Sequence, residues 1–154
     1  MKALYPMVLL SLTLGASMTA NACSYDGQFN NPFTESFPGS LDIAMATQDA
    51  LAQNFLESID TLEGQQGLRR ASWWLKLMAK QKQVDLQSVS YIYLIDSHLW
   101  TKVSPDQNIE IHVSPVSAKP SSVMLISEAA LQALVQGKIN IGKAVELGIV
   151  HFTS

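Results

Sequence analysis

Two periods of apolar positions run through this chain and divide it into elements. Leu41, Met45, Ala52, Phe55, Leu56 and Ile59 recur at helical spacing, with Asp42 and Asp49 off their side. They predict a core-facing helix from Leu41 to about Ile59, with Ser40 as its cap. Asp60 to Gly67 reads as a polar connection broken by Gly64 and Gly67. Leu68, Ala71, Trp74, Leu75, Met78 and Ala79 form the apolar stripe of a second helix, Leu68 to Gln83. The period then shortens to two. Val89 to Ile95 (VSYIYLI) is rich in β-branched and aromatic residues and predicts a buried strand. Asp96-Ser97 predicts a turn, Leu99 to Val103 a strand, and Ser104-Pro105-Asp106 its break. Ile109, Ile111 and Val113 alternate with Glu110, His112 and Ser114, as in a strand with one wet face.

The last thirty or so residues hold the densest set of local signals. Val123 to Ile126 predicts a strand, Ser127 an N-cap, and Glu128 a first-turn acid that suits the helix dipole. Leu131, Leu134 and Val135 supply a short helix's apolar stripe, and Gly137 stands where a left-handed C-cap residue stands. The pattern repeats in smaller form. Asn140 caps Ile141 to Leu147, Gly148 closes it, and Ile149 to Phe152 predicts a final strand. The predicted fold is α+β: a mixed sheet of about five strands with helices packed on one face.

Leu134-Val135-Gln136-Gly137-Lys138, then Ala144 and Gly148, resembles the C-terminal half of the sterol carrier protein (SCP2-like) family. There a strand leads to a helix ending in Leu-x-x-Gly-Lys, then a short helix with an alanine, then Gly and a last strand. Upstream, the resemblance extends only to the order of elements. It implies an apolar space between layers that holds a fatty or isoprenoid chain. Trp74, Leu75, Met78, Leu131, Leu134 and Ile139 are then the expected lining residues, although the same residues suit any packed core. The family's extra C-terminal strand-and-helix segment has no counterpart before Ser154.

Composition narrows the class. Of 154 residues, 47% are hydrophobic and 15% charged, which excludes a disordered chain and allows a core. The formal charge of -3 gives no electrostatic reason to bind nucleic acid. Residues 1–22 read as a signal peptide: Lys2, an apolar run from Met7 to Ala16, and the small-x-small site Ala20-Asn21-Ala22. The run is too short to span a membrane, so the chain is expected to be exported to the periplasm. The one cysteine, Cys23, becomes the first mature residue and cannot form an intrachain disulfide. Two outcomes fit: lipidation of Cys23, which anchors the protein to a membrane, or a plain periplasmic product. Ala20, where lipoproteins prefer Leu, favours the second. Residues 23–39 read as an extended arm with Tyr25, Phe29, Phe33 and Phe37 every fourth residue, either tacked onto the domain or contacting a partner. Residues 40–154 form the single domain.

Chemistry is sparse. His98, His112 and His151 have no metal-ligand spacing, and Asp96, Ser97 and His98 are neighbours in sequence without the signature of a triad. Nucleophile-elbow, phosphate-loop and dinucleotide fingerprints are absent from the sequence. No cofactor or metal is expected. One surface stands out: Trp73 and Leu77 lie off the second helix's core stripe among Arg69, Lys76 and Lys80. That face suits an anionic lipid or acidic partner, or it is covered by another element. The sequence thus predicts a non-catalytic exported protein that binds a lipid, another apolar molecule or a hydrophobic protein surface. The alternative is an accessory or assembly subunit of a periplasmic or membrane-bound complex. A hydrolase or metalloenzyme ranks last.

Overall fold

The computed structural model describes Tyr25, residues 35–117 and residues 119–153. The expected signal segment, residues 1–22, and Cys23, Phe29 and Phe33 lie outside the described residues. Four helices and five strands follow in the order α1 (Ser40–Ala52), α2 (Gly64–Gln81), β1 (Tyr91–Leu94), β2 (Leu99–Val103), β3 (Ile109–Ile111), β4 (Val123–Ile126), α3 (Glu128–Val135), α4 (Ile141–Glu146) and β5 (Val150–Phe152). The fold is α+β around a mixed sheet of order β3-β2-β1-β4-β5. Only the central pair β1–β4 is parallel, with Leu94 opposite Ile126; its neighbours pair antiparallel.

The pleat divides the strand residues into two sets. Ile92, Leu94, Leu99, Met124 and Ile126 point to one face and are buried with Ala71, Leu75, Met78, Leu131 and Leu134 of α2 and α3. Burying each such large aliphatic side chain contributes about 2 kcal/mol, so this layer dominates the stability. Tyr93, Val123 and Leu125 point to the opposite face and meet Ile43 and Ala44 of α1, with Phe37, Tyr91 and Trp100 packed alongside. The expectation of helices on one face therefore describes α2, α3 and α4, while α1 begins on the other face. Its later residue Ala50 joins the main core.

The first helix departs from its predicted pattern. Its buried positions are Ser40, Ile43, Ala44, Thr47 and Ala50, while Met45 is 57% and Phe55 46% exposed. Gly39, not Ser40, is the N-cap residue. Small and polar residues can be buried where a helix lies close to a sheet, so hydrophobicity did not mark the inward side. The helix also ends seven residues early. Asn54 adopts φ 60°, a left-handed conformation that asparagine tolerates. The amides of Phe55 and Leu56 both turn back to the Ala50 carbonyl, at 2.8 and 3.2 Å. Residues 57–63 then run without regular structure into α2.

The second helix begins earlier than its stripe predicts and contains both glycines read as breakers. A Cβ on Gly67 would collide with the Tyr25 ring and the Leu62 carbonyl oxygen. Its stripe is otherwise as expected, with Ala71, Trp74, Leu75, Met78 and Ala79 buried. The strand β1 is shorter than expected, and Val89 is buried in the preceding turn. The strand β3 ends at Ile111, and the next residue, His112, has a φ of 66°; the amides of His112 and Val113 both reach the Trp100 carbonyl, as in a bulge. The C-terminal stretch follows its local signals. Ser127 and Asn140 side chains accept from Ala130 and Lys143 amides, and Gly137 and Gly148 take φ 68° and 72° to terminate α3 and α4.

Candidate functional site

Parallel pairing of β1 with β4 brings the ends of both strands together. β1 runs into the turn that carries Asp96 and Ser97, and β4 runs through Ser127 into the first turn of α3. The Ile95 amide still bonds the Ile126 carbonyl at 3.1 Å, which continues the pairing one step beyond β1. Two residues that are 32 apart in the chain then meet: the Glu128 amide donates to Asp96 Oδ2 at 2.5 Å. This is one of the amides a helix N-terminus leaves open, and a carboxylate there is favoured by the helix dipole.

Two further side chains converge on Glu128. Arg70 of α2 donates from Nη2 to Glu128 Oε2 at 3.2 Å, an ion pair with little solvent access. The Tyr25 hydroxyl donates to Glu128 Oε1. The Arg70 guanidinium lies over the Trp74 ring, 4.9 Å from its centroid, which orients it from behind. Arg70 Nε is buried without a hydrogen-bond partner among the described residues. Behind the cluster, Thr47 donates to Ser127 Oγ at 3.0 Å and fixes α1 against the α3 cap.

Burial sets the acid–base character here. Removal of Asp96 from water raises its pKa from 3.8 to about 6; Glu128 nearby adds to this, and the Glu128 amide opposes it. The Tyr25 phenol is pushed far above its ordinary value, by burial first and by the Glu128 charge second. The Ser97 hydroxyl acts in the opposite direction. Tyr25 therefore stays a hydrogen-bond donor at every physiological pH.

The cluster floors a cleft of about 350 Å³. Its walls are Thr47, Gln48 and Leu51 of α1 and the irregular run Ser58-Ile59-Asp60-Thr61-Leu62, with Ala129 of α3 at the inner end. Ile59 and Leu62 are partly buried. The arrangement is a polar, largely desolvated floor under a mixed wall in which Leu51, Ile59 and Leu62 are the large apolar members, within the usual size range of small-molecule sites.

The residues expected to line an apolar space lie elsewhere. Leu75, Met78, Leu131 and Leu134 are fully buried in the main core, Trp74 is buried beside them, and Ile139 packs against the same cluster. None of them lines the cleft over Glu128 or two further clefts near Lys80 and Tyr91. Trp73 is 60% exposed, Arg69, Lys76 and Lys80 are exposed beside it, and Leu77 is half-buried. The three histidines do not gather. β3, which His112 directly follows, and β5, which carries His151, are opposite edges of the sheet, and His98 sits in the β1–β2 turn stacked on Tyr93. Burial lowers the His98 pKa. Among the described residues no group of three His, Cys, Asp or Glu side chains is placed to hold a metal ion, and no helix is long and apolar enough to cross a membrane.

The sequence carries no sign that Tyr25, Arg70 and Glu128 form one site, and it offers Asp96 as a partner for the histidines or for Ser97 rather than for Glu128. Arg70 did carry a signal, because it sits beside the core stripe, next to Ala71 and one turn before Trp74, where a cation is partly desolvated. Comparison with protein-family models gives no match to this chain, and comparison with curated proteins gives none.

Proposed function

We propose that the protein is a non-catalytic, exported binding protein whose ligand is a small amphipathic molecule held in the cleft over Glu128. The carrying observation is the conjunction of a desolvated polar floor, Arg70, Asp96, Glu128 and Tyr25, with three apolar side chains, Leu51, Ile59 and Leu62, in an otherwise polar wall. The ligand's polar end meets the floor, and its hydrocarbon part lies along the wall. Both carboxylates are engaged by protein donors, which supports binding rather than turnover: Glu128 by Tyr25 and Arg70, Asp96 by the Glu128 amide. Kinship with sterol carrier proteins belongs to the same proposal. What supports it is that Val123 to Phe152 forms strand, helix, glycine, helix, glycine and strand in that order.

The floor also states a preference. One guanidinium faces two carboxylates, so an amine or hydroxyl head is favoured over a carboxylate head. Dodecylamine should bind at least about tenfold more tightly than dodecanoate at neutral pH, by isothermal titration. The preference should shrink as pH falls through about 6 and Asp96 is protonated. Leu62→Asp, which charges the wall without touching the floor, should abolish binding of both probes. Equal affinity for the two heads, or undiminished binding by Leu62→Asp, would remove this reading.

A further inference from the structure

The outward face of α2 is distinct from the cleft and independent of the reading above. Between Glu63 and Asp85 the chain has no carboxylate and five cations, in a protein whose net charge is -3. Arg69, Trp73, Lys76 and Lys80 follow one another at spacings of four, three and four, so they stand in a single stripe along the helix. All four are exposed, and Trp73 is 60% exposed. Arg69, Lys76 and Lys80 form no ion pair among the described residues, unlike Arg70, which is held by Glu128. The acid across the adjoining groove, Asp106, accepts from Asn108 Nδ2 at 2.5 Å.

We propose that this stripe docks the protein on an anionic phospholipid surface. Charge complementarity is the first argument: a row of unpaired cations with no interspersed acid matches a plane of phosphates. Form is the second. The stripe is convex, about 16 Å long and about 10 Å wide, so it offers roughly 160 Å² against the roughly 800 Å² per partner of a stable protein interface. A fluid headgroup layer needs no shaped counterpart. The indole of Trp73 fits the boundary between headgroups and acyl chains, while the lysine stems lie along it with their ammonium groups outward.

The test uses the full chain and equimolar phosphatidylglycerol–phosphatidylcholine vesicles that contain a brominated lipid. Tryptophan emission should be quenched on these vesicles, and the quenching should vanish in Trp73→Phe, because Trp74 is buried and Trp100 lies on the sheet. Lys76→Gln with Lys80→Gln should raise the lipid concentration for half-maximal quenching about twenty-fivefold, from about fivefold per cation. Pure phosphatidylcholine or high salt should abolish it. Reading quenching at Trp73 keeps any contact made by the N-terminus out of the result. Quenching that survives Trp73→Phe, or that ignores lipid charge, would overturn the proposal. So would salt-sensitive binding to polyglutamate without quenching on vesicles, which would assign the face to an acidic protein.

Discussion

A carboxyl group whose pKa is raised by burial destabilises the folded state only while it is ionised, and Asp96 is such a group. Its value of about 6 in the folded protein lies above its ordinary 3.8. Between those two values the folded state holds a proton that the unfolded chain has released, so stability falls as pH rises through the interval. Below the lower value the penalty is absent, and above the upper it is complete. Asp96→Asn should therefore unfold at nearly the wild-type temperature near pH 3.5. It should gain on wild type as pH rises to about 6 and hold a constant lead above that. Thermal unfolding followed across pH would show it; a lead that is flat in pH would mean that Asp96 titrates normally. The chain announces an acid at a turn, and burial, with the Glu128 charge adding to it, gives it this behaviour. The Asp96 environment was illegible in the sequence because Glu128 reaches it from 32 residues away.

Elements fall into two groups according to how local their causes are. The segment from Val123 to Phe152 was legible nearly residue by residue, because its caps and terminating glycines act within one turn of themselves. Ser127 is the joint between β4 and α3, and it both caps Ala130 and receives Thr47 from α1. Ser127→Ala should cost about 1–2 kcal/mol, the upper end of a cap substitution because the Thr47 hydroxyl also loses its partner. Urea denaturation would measure this. Thr47→Ala should cost less than Ser127→Ala, and additivity of the two would show that they do not interact. The first helix belongs to the other group. Its inward side is made of Ser40, Ala44, Thr47 and Ala50 beside Ile43, so apolarity did not separate the faces, and the helix end depends on Asn54 turning left-handed. That misplaced end hid the site, because residues predicted as the helix's last turns and its polar connection are the cleft's outer wall.

At the scale of the whole molecule, one parallel pair in an otherwise antiparallel sheet has the largest consequence. It sends the ends of β1 and β4 to the same edge of the core, and α1, α2 and the turn between them close over that edge. The α+β class and the number of strands follow from local patterns. The crevice follows from pairing that joins segments far apart, and no periodicity reports it. The α2 stripe is the opposite case: its spacing was visible in the sequence, and the structure adds its exposure.

On the proposed reading the ligand enters the cleft over Glu128 rather than the packed layer between α2, α3 and the sheet. Backbone and methyl NMR shifts during titration with dodecylamine address that directly. The predicted result is saturable shifts at Leu51, Ile59, Leu62, Arg70 and Asp96, with Leu75, Met78 and Leu134 unmoved. Shifts centred on Leu75, Met78 and Leu134, or none that saturate, would contradict it.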